Sequence, residues 1–207
     1  MPAELTLADQ ARLVAALREA LGPGVRVIET HISYVLLTGA HAYKIKKAVS
    51  FGFVDFSTLA LRRRYCDEEL RLNRRLAPAV YLDVVPIAGN VDWPEPGGTG
   101  EAIEYAVRMR EFPQEALLSR ELERGELLPQ EIDSLAAIVA AFHARVAVAK
   151  PGDGYGSPED VLGYARENVD RLERLRGDRA ERIALLALRD WTEREFAALR
   201  GTIEARL

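Results

Sequence analysis

Cysteine is almost missing from this chain. Cys66 stands alone among 207 residues, which excludes an intrachain disulfide and any multi-cysteine metal cage and predicts a reducing, cytoplasmic setting. No run of ~18 apolar residues occurs, and Met1 to Leu13 is mixed and partly acidic, so neither a membrane span nor a secretory leader is expected. A formal charge of -4 provides no overall basic surface, and no nucleic-acid partner is expected. Lysine is scarce as well: only Lys44, Lys46, Lys47 and Lys150 occur, and three of those four fall within one tetrapeptide. A general preference for arginine explains the shortage but not the clustering. The compact lysine ammonium serves a tight phosphate site in a way that arginine's planar fork does not. Lysines also protect solvated strand edges, so composition alone leaves both readings open.

What is present is ordinary globular material, 48% hydrophobic and 29% charged, enough for one core or two small lobes. Thr6 and Asp9 form a capping pair ahead of a helix over Leu7 to Leu21, ended by Gly22-Pro23-Gly24. Val25 to Glu29, Ser33 to Thr38 and Ala42 to Val49 read as a three-strand meander. Ser57 is expected to cap a long helix over about 58–76, stopped before Pro78, and Tyr81 to Ala88 and Glu101 to Met109 supply two more strands. Beyond Phe112-Pro113 the pattern is helical: Gln114 to Arg124, Glu131 to Val148, Ser157 to Leu175 and Arg179 to Leu207. The expected fold class is α+β, with a five-stranded antiparallel lobe and one long helix over 1–109, a connection at 110–113 and a mostly helical part over 114–207.

Alternation along the third strand puts Ala42, Lys44 and Lys46 on one face and Tyr43, Ile45 and Lys47 on the other. In the long helix, Tyr65, Glu69, Leu72 and Leu76 recur on a 3.6-residue period, with Cys66 and Asn73 beside them. A carboxylate within such a stripe is costly unless paired, so Glu69 is expected to meet a cation of the sheet, with Lys44 as the candidate. A shift of register would put Glu68 in that role, and a solvated Glu69 with an edge-decorating Lys44 is the alternative. Thr30, His31 and Ser33 occupy the first strand turn, where hydroxyls or backbone N–H groups can contact phosphate. The absence of glycine between Val25 and Thr38 weighs against close backbone approach.

Taken in order, Glu29-Thr30-His31-Ile32-Ser33, Ala42-Tyr43-Lys44-Ile45-Lys46-Lys47, Phe53-Val54-Asp55-Phe56-Ser57-Thr58-Leu59, Glu69 through Pro78, Val107-Arg108-Met109-Arg110 and Ala141-Phe142-His143-Ala144 resemble bacterial aminoglycoside phosphotransferase-like proteins. The resemblance covers most of the chain. It implies a protein-kinase-like fold with ATP between a sheet lobe and a helical lobe, and relatives of this branch are often longer, with a second, P-loop nucleotide-binding domain. It implies that Lys44 binds phosphate, that Glu69 fixes Lys44, that Ala42 lies against adenine, and that Met109 to Phe112, Arg110 included, form a hinge along the base. Lys46 and Ser33 complete the candidate ATP-binding set.

The resembled family draws its catalytic aspartate and magnesium ligands from a His-Gly-Asp loop and residues after it, and no such string occurs here. Arg179 to Leu207 resembles the segment leading into that loop. The expectation is a nucleotide-binding front portion, with magnesium and a small-molecule hydroxyl acceptor engaged only by the intact protein. A non-catalytic kinase-like interaction module is the alternative, and exposed helical surface favours self-association in either case. Asp55-Phe56-Ser57 precedes the long helix and reads as a turn, not a metal triplet. Gly97 to Gly100 and Gly152 to Gly156 lack the lysine and spacing of a P-loop. His143 reads as a packing residue, and the arginine runs 62–64 and 74–75 as solvated helix faces.

Overall fold

The capping pair forms as the sequence implies. The Thr6 hydroxyl accepts from the Asp9 N–H at 3.1 Å while the Asp9 carboxylate accepts from the Thr6 N–H at 3.1 Å, closing a capping box at the start of α1 (Leu7–Ala20). The computed structural model describes residues 4–150, 152–175 and 178–206; Met1 to Ala3, Pro151 in the glycine-rich loop and Leu207 at the end of the last expected helix lie outside them. The chain is α+β.

Strands β1 (Arg26–Glu29), β2 (Ser33–Leu37) and β3 (His41–Lys46) form the expected meander, and β4 (Tyr81–Gly89) and β6 (Glu104–Arg110) extend the sheet. Among the described residues the sheet has six strands, not five. β5 (Pro94–Pro96) pairs with Ile87 to Gly89 at the edge of the order β1-β2-β3-β6-β4-β5, in which every pairing is antiparallel. Two prolines in three residues hid it, and proline is tolerated there because an edge strand has N–H positions with no partner strand. Leu13, Val14 and Leu17 of α1 join Val25, Tyr34, Leu36, Ile45, Ile87 and Ala106 in one buried cluster, so α1 covers one face of the sheet.

Helix α2 (Leu59–Asn73) is capped by Thr58, whose hydroxyl accepts from the Leu61 N–H at 3.2 Å; Ser57, the expected cap, precedes it. It also ends earlier than Leu76, in turns that lead to Pro78. Its buried stripe is displaced from the expected one. Arg62 and Cys66 are buried, whereas Tyr65, Leu72 and Leu76 are exposed. Burial pushes the Cys66 thiol up to about 12, so it stays protonated and unreactive in the folded chain.

A single 3-10 turn (Gln114–Ala116) leads to α3 (Leu118–Arg124) and α4 (Pro129–His143), and α5 (Pro158–Leu175) and α6 (Arg179–Glu204) follow. The chain divides into two compact units, one ending at Ile138 and the next beginning at Val139, later than the change from strands to helices at 110–113. Within the second unit α5 and α6 run antiparallel, tied by Arg200 to Glu159, Arg166 to Glu193 and Arg189 to Asp170 and Glu173. His143 is exposed at the end of α4 instead of packed.

The β4–β5 turn supplies a test of backbone geometry. Gly89 has φ 82° and an added Cβ would overlap the Trp93 carbonyl oxygen, whereas Gly39, with φ 87°, has open space at that position. Gly89→Ala is expected to cost about 2 kcal/mol and Gly39→Ala about 1 kcal/mol in urea denaturation. Equal losses would contradict the crowding at Gly89.

Candidate functional site

Directly opposed residues of neighbouring strands share a face of the sheet. Ala42 opposes Leu37 and Met109, Lys44 opposes Val35 and Val107, and Lys46 opposes Ser33. These residues therefore line the face away from α1. Onto that face α2 delivers Glu69, whose Oε1 accepts from Lys44 Nζ at 2.8 Å and whose Oε2 accepts from Lys46 Nζ at 2.6 Å. The expected partner is present, and a second lysine shares the same carboxylate. Glu68, the alternative for a shifted register, bonds Arg71 on the surface. Lys47, pointing to the other face, pairs with Glu29 and lies 4.7 Å from the centre of the Tyr34 ring.

The two lysines are not equivalent. Side-chain exposure is 31% for Lys44, 7% for Lys46 and 13% for Glu69, so the Lys46 ammonium is almost fully removed from water. Its remaining surroundings include the Phe56 ring, 5.0 Å away at the centroid. Burial alone would raise the Glu69 pKa, but the hydrogen bonds and positive charges of Lys44 and Lys46 outweigh it and hold the carboxyl below its ordinary value. Two ammoniums against one carboxylate leave a net charge of about +1 at this spot, which suits an anion.

The other candidates are distributed along the same face or its end. Ala42 is buried and Met109 half-buried beside it. Met109 and Arg110 are still in β6, so the connection after the sheet starts at Glu111. The N–H groups of Arg110 and Glu111 donate to the carbonyls of Val80 and Ala40, and Phe112 is exposed. Ser33 is 2% exposed with its hydroxyl unpartnered, while Thr30 accepts from the Ile32 and Ser33 N–H groups and thereby shapes the turn. His31 is exposed. Asp55 accepts from the Ser57 N–H at 2.9 Å, the turn that the sequence implied. Among the described residues no group of three potential metal-ligating side chains converges, and no helix is long and apolar enough to cross a membrane.

Sequence reasoning missed a second polar cluster, behind the first. Arg62 and Glu104 are both 0% exposed, with Arg62 Nε 2.9 Å from Glu104 Oε2. Gln10, also buried, donates through Nε2 to Glu104 at 2.8 Å and to the Lys46 carbonyl at 3.0 Å, and accepts from the Ala48 N–H at 2.7 Å. The arginine run 62–64 implies a solvated helix face, yet its first member, Arg62, is turned inward. The overlooked signal is its spacing: it lies seven residues, two helical turns, before Glu69 and so on the same side of α2.

No family model and no solved structure matches the chain. Over 150 residues, 72% of its length, it is 33% identical to "Uncharacterized protein Rv2004c" of Mycobacterium tuberculosis strain H37Rv and equally to "Uncharacterized protein Mb2027c" of Mycobacterium bovis. The match covers 28% of each of those proteins, so the chain is similar to less than a third of the length of these curated relatives.

The unequal burial of the two lysines predicts unequal mutational costs. Lys46→Ala leaves a half-buried carboxylate short of its closest partner and should cost about 3 kcal/mol in urea denaturation, whereas Lys44→Ala should cost about 1 kcal/mol or less. The reverse order would contradict the burial. Glu69 has a folded pKa below its unfolded value of about 4.3, so its contribution is complete above that pH and disappears as pH falls through the lower folded value. Glu69→Gln is expected to flatten that acid limb of the stability profile.

Proposed function

We propose that this chain is the nucleotide-binding front portion of an ATP-dependent small-molecule phosphotransferase with a protein-kinase-like fold. The observation that carries the reading is the contact of Lys44 and Lys46 with Glu69 across the seam between β3 and α2. An ammonium has three donors, and Glu69 occupies one on Lys44, whose partial exposure allows it to reach a phosphate oxygen. Lys46 is too buried for that task and instead helps to hold Glu69. The small side chain of Ala42 gives a purine room against the sheet, with Met109 beside it and Arg110 to Phe112 along the base.

For this chain the proposal is binding, not turnover. Transfer of the γ-phosphoryl group to a hydroxyl, with magnesium, belongs to a protein that also carries a catalytic carboxylate and metal ligands. Bacterial relatives several times longer than the matched region are compatible with that division. The acceptor class is left open by the residues present, because one fold serves many acceptors.

A second reading, a non-catalytic interaction module, draws on α4, which exposes Ile132, Leu135, Ile138 and Val139. Self-association through the exposed helical part is expected under either reading and would appear in light scattering; a compact monomer would count against it. The nucleotide reading is tested by titrating ATP into the wild-type chain and the Lys44→Ala variant by calorimetry. Weak binding that falls at least roughly tenfold, about 1.4 kcal/mol, on loss of Lys44 is expected. Equal affinities, or no binding by the wild type, would contradict it.

A further inference from the structure

Apolar burial does little to fix α2 on the sheet. Its fully buried residues are an arginine and a cysteine, Leu59, Leu61 and Leu70 are half-buried, and Tyr65, Leu72 and, just beyond its end, Leu76 face solvent. The inward side of the helix is therefore a thin, partly buried line through Leu59, Cys66 and Leu70 with an arginine in it, a weak definition of its rotation and of its sliding along the sheet. Yet its Glu69 must arrive within hydrogen-bond reach of two ammoniums, and a displacement of about 1 Å would break both contacts.

The buried polar cluster offers the missing constraint. Arg62 anchors α2 through Nε to both oxygens of Glu104 on β6, at 3.0 and 2.9 Å, and through Nη1 to the carbonyls of Phe56 and Ser57, at 3.0 and 3.2 Å. Glu104 is held by Gln10, whose amide also ties the Lys46 carbonyl and the Ala48 N–H. The chain of contacts closes on Lys46, whose carbonyl meets Gln10 and whose ammonium meets Glu69. Glu4 completes it from the other side: its carboxylate accepts from the Leu59 N–H in the first turn of α2 at 2.7 Å and faces the otherwise unpartnered Arg62 Nη2 at 3.7 Å.

We infer that Glu4 and Gln10 are positioning residues for the lysine and glutamate site: they clamp α2, through Arg62 and Glu104, in the rotation that brings Glu69 to Lys44 and Lys46. The inference deepens the nucleotide-site reading and its importance for ATP rests on that reading, but the clamp itself is tested without nucleotide. Neither residue touches Glu69, Lys44 Nζ or Lys46 Nζ in the contacts above, so any effect on the pair passes through the placement of α2. Gln10→Met preserves approximate volume and charge while removing all three amide contacts.

The readout is the titration midpoint of the Glu69 carboxyl, followed by carbon NMR of the side chain in the full chain. Gln10→Met is expected to raise that midpoint by roughly 1 pH unit as the ammoniums are lost, and Glu4→Ala to raise it by less. The sign for Glu4→Ala is informative, because removing a negative charge without moving α2 would lower the midpoint. Cys66, unreactive while the fold is intact, serves as the check that each variant is folded. A folded Gln10→Met with an unchanged midpoint overturns the inference. Should Gln10→Met label at Cys66 as an unfolded chain does, half-exposed Glu4 carries the test: an unchanged or lowered midpoint in Glu4→Ala overturns it. Loss of ATP binding by wild-type chain with the midpoint shifts intact would overturn the nucleotide reading alone.

Discussion

One carboxylate, brought by a helix to two ammoniums on a strand, is the constraint around which the first unit of this chain is arranged. Ionised groups that leave water must be compensated by geometry, since the attraction between them offsets desolvation only at short distance and with hydrogen bonds in place. Here Glu69 uses both oxygens, one for each lysine. The more buried Lys46 is the structural half of the arrangement and the more exposed Lys44 the half available to a ligand. This division follows from their unequal burial, Lys46 being the more enclosed of the two and lying beside the Phe56 ring.

The surrounding architecture serves that contact in layers. On one face of the sheet α1 covers an apolar cluster, which fixes β2, β3 and β6 relative to one another. The helix that carries Glu69 packs against β6 and β4 on largely polar terms, through Arg62, Glu104 and Gln10. Burial pushes the Glu104 carboxyl above its ordinary range, against the pull of Arg62, the Gln10 amide and the Tyr105 N–H. Such a network costs desolvation that an apolar core would avoid. Its directional hydrogen bonds specify a rotation of α2 that interchangeable apolar contacts would leave loose.

Much of this was legible in the sequence because it follows from periods. The alternation of β3 placed Lys44 and Lys46 together, the cost of an unpaired carboxylate pointed Glu69 to a lysine of the sheet although the apolar stripe expected beside it is exposed, and the capping box at Thr6 and Asp9 marked the start of α1. What escaped notice broke those periods or depended on distant residues. β5 is three residues with two prolines, a composition that argues against a strand anywhere but an edge. Arg62 sits in a run of three arginines, and only the carboxylate of Glu104, forty-two positions later, distinguishes it from its exposed neighbours. The stripe of α2 was shifted for the same reason: charged partners, invisible to a hydrophobic count, decided which side of the helix turned inward.

The similarity to longer mycobacterial proteins adds no chemistry to the chain, so the account stands or falls on the Glu69 contact itself. Its most direct test is a double-mutant cycle on Lys46→Met and Glu69→Gln, read by urea denaturation. A coupling of at least about 1.5 kcal/mol is predicted for charged groups in contact this far from water. Additive losses, with coupling indistinguishable from zero, would mean that the two side chains do not support each other and would contradict the account.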